Sequence, residues 1–290
     1  MFTGSCTAMV TPFTENGVNF DSLGRSIEFQ ITSGTDALLA CGTTGEPTTM
    51  TQEERRDVIS YTVEKVNGRV PVIAGTGGNN TVEVIKASVE AEAVGTDALL
   101  IVNPYYNKTN KRGLYEHYKT ICSEVSLPVI LYNVPSRTCH NISAEDLQEL
   151  SNIENIRAIK EASGDLAQVL EMSALCGEYL DIYSGNDDTI VPVLSCGGKG
   201  VISVAANIVP DAIHKIVADY LSGDLTSGLN IQLKILPLVN ALFNEVNPIP
   251  IKTAMNLMGM NMGPLRAPLY DMSDQALSIL NECMKELALI

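Results

Sequence analysis

Gly34-Thr-Asp-Ala-Leu-Leu39 recurs as Gly95-Thr-Asp-Ala-Leu-Leu100, 61 positions further along the chain. Each copy passes from a glycine turn through a polar pair into a short apolar run, the pattern of a chain entering a buried strand. A separation of 61 residues fits two strand-plus-helix units of about 30 residues each. Working outward, the two copies open the runs Asp36–Cys41 and Asp97–Val102. Six more runs resemble them: Gly4–Val10, Val70–Ala74, Pro128–Tyr132, Asn155–Lys160, Leu180–Ser184 and Gly200–Val204. Nearly every run is followed by a loop and a segment with helical apolar spacing. Val58, Ile59, Val63 and Val66 form one such stripe, and Val82, Ile85, Val89 and Ala93 another. Thr51 to Glu54 and Ser143 to Asp146 carry the capping pattern of helix starts. Strands alternating with helices in this way pair in parallel. Eight units in about 222 residues predict an α/β fold, a closed (β/α)8 TIM barrel, with an open doubly wound sheet as the rival.

After Leu221 the strand signal stops. The remainder reads as helices interrupted at Pro237, at Pro248 and Pro250, and between Gly263 and Pro268. The expected division is a barrel domain over 1–223 and a small C-terminal helical extension over 224–290.

Composition narrows the function classes. Apolar residues make up 45% of the 290, enough for a full core, and the net charge is −15. A nucleic-acid partner is not expected, because phosphate binding needs clustered Lys and Arg. Any anionic substrate must be caught by local positive groups. There is no long apolar run to cross a membrane and no basic region ahead of an apolar stretch at the N-terminus, so a cytoplasmic protein is expected. Seven cysteines lie scattered without a C-x-x-C pair, and the three histidines, His117, His140 and His214, do not pair at ligand spacing. No metal site is expected. Gly75-Thr-Gly-Gly-Asn-Asn80 looks like a dinucleotide turn but lacks the third glycine and a downstream acidic residue. It reads instead as a close-packed strand-to-helix turn at the barrel mouth, and no cofactor is expected.

In a barrel, chemistry stands at the C-terminal ends of the strands. Lys160 closes one such run and alternates onto the side of Ala158. An ammonium is costly to bury, and a desolvated lysine offers the free amine that carbonyl condensation needs. A lysine snorkelling to solvent is the plain alternative. Tyr132 ends the preceding strand, where a phenol could relay protons or simply fill the core. Thr43 and Thr44, between two glycines, offer hydroxyls and N–H groups to a carboxylate, or form an ordinary turn. Arg137 could clamp a second carboxylate or make a surface ion pair.

Seven stretches carry a resemblance beyond these arguments. They are Gly42-Thr-Thr-Gly-Glu46, Pro71–Thr76, Pro104-Tyr-Tyr106, Leu131–Thr138, Ile159-Lys-Glu-Ala162, Gly200–Val204 and Asn247-Pro-Ile-Pro-Ile-Lys252. Together they resemble the dihydrodipicolinate synthase family, within the N-acetylneuraminate lyase-like Schiff-base aldolases. The resemblance implies a cofactor-free cytoplasmic lyase that condenses pyruvate with aspartate semialdehyde in lysine synthesis. It implies that Lys160 forms the imine and that Tyr132, Thr43 and Tyr106 relay protons, with Tyr106 reaching a neighbouring subunit of a homotetramer built as a dimer of dimers. It assigns Thr44 to the pyruvate carboxylate and Arg137 to the semialdehyde carboxylate. Gly185 and Ile202 become pocket-lining backbone positions, and Asn79, Glu83 and Tyr105 match an effector site for lysine.

Two departures from the family pattern bear on function. Cys139 and His140 follow the Arg137 loop where many members have a glycine first. Pro47, Thr48, Gln52 and Arg55 replace the small residues and histidines of lysine-inhibited members, so lysine inhibition is expected to be weak or absent. Two alternatives stay open: another pyruvate-dependent aldolase, such as N-acetylneuraminate lyase or a keto-deoxy-sugar-acid aldolase, and a non-catalytic barrel that binds a keto acid.

Overall fold

The computed structural model describes all 290 residues, Met1–Ile290. The strands are β1 (Gly4–Ala8), β2 (Phe13–Thr14), β3 (Gly17–Val18), β4 (Ala37–Ala40), β5 (Val72–Gly75), β6 (Ala98–Val102), β7 (Val129–Asn133), β8 (Ile156–Glu161), β9 (Asp181–Ser184) and β10 (Gly200–Ser203). Eight of them close a barrel in the order β1-β10-β9-β8-β7-β6-β5-β4, with every pair parallel. All eight apolar runs are barrel strands. β2 and β3 form a separate antiparallel hairpin that the sequence reading did not anticipate. With two residues each they are too short to show alternation.

The helices are α1 (Phe20–Thr32), α2 (Gln52–Val66), α3 (Thr81–Ala93), α4 (Lys111–Cys122), α5 (Pro135–Thr138), α6 (Ala144–Leu150), α7 (Leu166–Cys176), α8 (Ile190–Ser195), α9 (Pro210–Leu221), α10 (Leu225–Leu242), α11 (Ile249–Leu257) and α12 (Asp274–Glu286). α2 begins at a complete capping box, in which the Thr51 hydroxyl accepts from Glu54 N and the Glu54 carboxylate accepts from Thr51 N. At α6 the Ser143 side chain accepts from Asp146 N.

Two expectations need correction. On α3 the buried face is Val84, Ser88 and Ala91, whereas Val82 and Val89 are exposed. Both stripes satisfy the helical period. The one that packs inward has the small Ser88 and Ala91, which let the helix lie close to the barrel, and Ser88 meets the Thr76 hydroxyl at 2.9 Å. Pro237 does not interrupt the chain: α10 runs through it from Leu225 to Leu242. The bond lost at the ring nitrogen is outweighed by burial of Ile235, Leu238 and Val239 on the adjoining turns, each contributing about 1.5–3 kcal/mol.

Three apolar clusters hold the fold. One lies between the barrel and α1 to α7 and includes Leu38, Leu99, Leu131 and Ile159. A second joins α8 and α9 to the C-terminal helices through Ile213, Ile216, Leu242, Ile251 and Met255. The third fills the barrel itself, with Cys6, Ala8, Ala37, Leu39, Ala98, Ile130, Tyr132, Ala158, Tyr183 and Ile202. Alanines on several strands leave the room that Tyr132 and Tyr183 occupy. No helix is long and apolar enough to cross a membrane.

Candidate active site

Lys160 and Tyr132 are direct cross-strand partners at the C-terminal ends of β8 and β7. Lys160 also pairs with Tyr183 on β9. Side chains alternate along a strand, so all three sit on the inner face, as Ala158 and Ile130 do two positions earlier. Lys160 is 5% and Tyr132 7% exposed. The amine nitrogen of Lys160 lies 4.5 Å from the centre of the Tyr132 ring. Cys6, another member of the inner cluster, has its thiol held neutral by burial, with Lys160 opposing this more weakly.

The residues that follow this pair face outward and lock the strand ends. The Asn133 side-chain amide donates to Glu161 Oε2 at 2.8 Å and to Asn141 Oδ1 at 2.8 Å. Asn133 Oδ1 accepts from Ile142 N at 2.9 Å, and Glu161 Oε1 accepts from Ser163 N at 2.6 Å. Burial pushes the Glu161 carboxyl above its ordinary value, and its hydrogen bonds to Ser163 and Asn133 pull it back only in part. Such a network ties the ends of β7 and β8 together just beyond Tyr132 and Lys160 without touching the Lys160 amine.

Thr43 and Thr44 stand on a single 3₁₀ turn after β4, Thr43–Gly45. Thr44 is buried and its hydroxyl accepts from the Asn247 side-chain amide at 3.1 Å. Thr43 is half-buried. Arg137 lies in α5, after β7, and donates to the Asn247 carbonyl at 2.9 Å. The loop beyond it is tied back by Asn103, which donates to the His140 carbonyl at 2.8 Å, and by the Thr138 hydroxyl, which donates to the same carbonyl. Cys139 takes the left-handed conformation there, at φ 52°. The position is one that favours glycine, and Cys139 bears a modest backbone strain there.

A cavity of about 640 Å³ opens at the barrel mouth and runs between α2 and α3. Its wall includes Thr43, Tyr132, Arg137, Asn79, Glu83 and Tyr105. The wall omits Lys160, Thr44, Gly185, Ile202 and Tyr106. Ile202 is fully buried on β10 opposite Cys6. Gly185 follows β9, and a side chain on it would press against Ala162 Cβ at 2.6 Å. Tyr106 is 92% exposed at φ 67° and is no part of the cavity wall of its own chain. The glycine turn at Gly75–Asn80 is close-packed, since a side chain at Gly75 would collide with the Cys41 carbonyl and one at Gly77 with Val102 N.

Asn79, Glu83 and Tyr105, expected from the resemblance at an effector site, form contacts of their own. Gln52 donates to Glu83 Oε2 at 2.6 Å and accepts from Lys86 at 2.8 Å. Asn79 donates to the Tyr105 carbonyl at 3.2 Å.

Three further polar residues at this end of the barrel were not singled out in the sequence. Asn247 contacts both the Thr44 and the Arg137 loops from 110 or more residues away. Buried Asp187 accepts from Val204 N at 3.0 Å and Ala205 N at 2.9 Å, holding the turn that follows Ile202. Burial pushes its carboxyl above the ordinary range. Glu46 forms a buried pair with Lys252. Glu46, Asn247 and Lys252 fall within the quoted stretches Gly42–Glu46 and Asn247–Lys252, whereas Asp187 lies in none of the seven.

Known proteins resemble this chain over its whole length. The chain is 56% identical over 290 residues to 4-hydroxy-tetrahydrodipicolinate synthase of Clostridium perfringens (strain SM101 / Type A), covering all of both chains. A crystal structure of chloride-inhibited dihydrodipicolinate synthase from Acinetobacter baumannii, complexed with pyruvate, superposes with a TM-score of 0.98 at 40% identity over the whole of both chains. A structure described as the first monomeric dihydrodipicolinate synthase variant gives a TM-score of 0.97 at 39% identity, covering 100% of this chain and 98% of that one. The model of the dihydrodipicolinate synthetase family matches residues 1–287, and with that coverage and the barrel just described, the chain belongs to this family.

Proposed function

We propose that Lys160 is the Schiff-base nucleophile through which this chain condenses pyruvate with L-aspartate 4-semialdehyde. The activity is that of 4-hydroxy-tetrahydrodipicolinate synthase, a lyase of lysine biosynthesis. The observation that carries the residue assignment is the pairing of Lys160 with Tyr132, an amine and a phenol at one level inside the barrel.

The chemistry follows from that pairing. The Lys160 amine adds to the C2 carbonyl of pyruvate, and the carbinolamine loses water to give an iminium. Tyr132, with Thr43 and a partner subunit's copy of Tyr106, moves the protons that addition and water loss require. The iminium withdraws electrons from the adjacent methyl group, so C3 gives up a proton and an enamine forms. C3 of the enamine attacks the aldehyde carbon of the second substrate. The amine of the semialdehyde then attacks C2 and expels Lys160, closing the ring and restoring the free enzyme. Thr44 donates to the pyruvate carboxylate and Arg137 to the semialdehyde carboxylate, the local positive and donor groups that a chain of net charge −15 needs for two anionic substrates. A polyol substrate would leave Arg137 without a carboxylate to bind, which favours this reading over a sugar-acid aldolase.

The exposed Tyr106 supports an oligomer in which each copy completes a neighbour's site, a homotetramer being the form we propose. Sedimentation equilibrium reads it, and fully active monomers would exclude it. Seven free cysteines suit a reducing compartment, and we place the protein in the cytoplasm.

Borohydride reduction in the presence of pyruvate, followed by peptide mass spectrometry, tests the central assignment. A single adduct on Lys160 is expected. An adduct on another lysine, or none, would overturn it.

A further inference from the structure

Glu46, which ends the Thr43–Thr44 turn, forms an ion pair with Lys252 of α11 at 2.8 Å, with the two side chains 0% and 1% exposed. Its second carboxylate oxygen accepts from Arg266 N at 3.0 Å. Lys252 donates again, to the Thr11 carbonyl at 3.0 Å. The Phe13 ring closes a third side: Lys252 Nζ lies 4.2 Å and Arg266 Cζ 4.0 Å from its centre. Four distant parts of the chain thus meet at one carboxylate.

A buried pair of this kind is a poor stabiliser. Desolvating two charges costs about as much as their attraction returns, and an apolar pair of similar volume often does as well. Geometry is what it supplies that an apolar pair does not. A carboxylate gripped at both oxygens cannot rotate, whereas packed methyl groups tolerate sliding. The backbone of Glu46 shows why a grip is needed. It stands at φ 55°, in the left-handed region that costs a non-glycine residue free energy. In that conformation its N–H donates back to the Thr43 carbonyl at 3.2 Å and shapes the turn that presents both threonine hydroxyls.

The same helix touches the turn a second time. Asn247, just ahead of α11, donates to the Thr44 hydroxyl. With one lone pair so occupied, that hydroxyl has its proton free for an acceptor in the site.

We infer that Glu46 and Lys252 are positioning residues, through which the C-terminal helices hold the Thr43–Thr44 turn in the shape that binds the pyruvate carboxylate. The inference rests on the assignment of Thr44 to that carboxylate, and its test separates the two.

The test uses the full-length enzyme and reads the pyruvate concentration dependence of borohydride trapping, which reports imine formation alone. Thermal unfolding is followed beside it. Three variants are compared: Thr44→Ala, Glu46→Gln, and the charge-free double variant Glu46→Gln with Lys252→Met. Glu46→Gln keeps the shape of the side chain and the acceptor for Arg266 N. The double variant also removes the stranded cation, so its melting temperature should lie near that of the parent.

Thr44→Ala should raise the half-saturating pyruvate concentration about tenfold or more, and so should both Glu46 variants, as expected when a binding turn is displaced by a fraction of an ångström. Lys252→Arg, a fourth variant that keeps the charge beside Glu46, should retain most of the parental affinity. A folded Glu46→Gln enzyme with parental pyruvate dependence would overturn the inference, even if the double variant did not fold. If Thr44→Ala alone is affected, the carboxylate assignment stands and the positioning role falls. If Thr44→Ala is also unaffected, the assignment itself falls and takes the inference with it.

Discussion

The amine of Lys160 lies 4.5 Å from the centre of the Tyr132 ring, and the two residues are register partners on adjacent parallel strands. The phenol is thereby held at the level of the nucleophile by backbone hydrogen bonding, with no need for a mobile loop. A carbinolamine formed on Lys160 must lie beside this side chain.

Tyr132→Phe keeps the ring against the amine and removes only the hydroxyl. We expect kcat to fall by about 10²–10⁴-fold, the range for losing a positioned acid–base group, with slowed borohydride trapping and little change in melting temperature. Parental turnover would mean that the phenol fills space and moves no proton.

Arg137 spends one N–H on the Asn247 carbonyl and is otherwise exposed at the cavity wall. Replacing it with alanine should weaken use of the semialdehyde by about 2–4 kcal/mol in kcat/KM, the loss of a two-point charge-assisted contact. Pyruvate trapping should stay within a few-fold of parental. Arg137→Lys should not rescue it, because a point charge lacks the planar fork. Equal damage to both half-reactions would make the residue structural.

L-Lysine should inhibit weakly or not at all. Glu83, a carboxylate of the cavity wall that could pair with a ligand ammonium, already accepts from Gln52, and Gln52 in turn holds Lys86. Arg55 and Arg56 add permanent positive charge to the same wall. Half-inhibition below about 1 mM corresponds to a binding free energy beyond about −4 kcal/mol. Observing it in the coupled assay would refute this expectation.

His117 contributes to acid sensitivity. Burial pushes its imidazole down to about 4, whereas an unfolded histidine titrates near 6.5. Between these values the unfolded chain binds the extra proton. The stability conferred by the neutral ring is therefore complete above about pH 6.5 and lost as pH falls toward 4, by at most about 3 kcal/mol. His117→Asn should melt lower than the parent at neutral pH, since the bond between Thr81 and Nδ1 is disturbed. The gap should narrow between pH 6.5 and 4.5. A constant gap in calorimetry at matched ionic strength would show that the ring does not titrate in this way.

Sequence patterning alone determined the barrel. Eight apolar runs with intervening helical periodicity admit few arrangements, because parallel strands need helical crossovers and successive units settle side by side. Lys160 and Tyr132 were legible for the same reason: each ends a run, and strand ends are where a barrel collects its chemistry. Tertiary structure decided everything that depends on residues far apart in the chain. Val82, Ile85, Val89 and Ala93 made as good a stripe as Val84, Ser88 and Ala91, and it is the second that packs inward, with Ser88 against the Thr76 hydroxyl. Pro237 looked like a break until burial of its neighbours kept α10 whole. Asn247 and Lys252 stand at the two ends of a stretch that carries the family resemblance and Arg266 lies in none, but no periodicity in the chain places them against the turn at Thr43–Glu46, where folding brings all three. Periodicity reports which face of an element is buried and is silent about what it is buried against. The contacts that orient the hydroxyl of Thr44 and the guanidinium of Arg137 exist only once the C-terminal helices have packed onto the barrel.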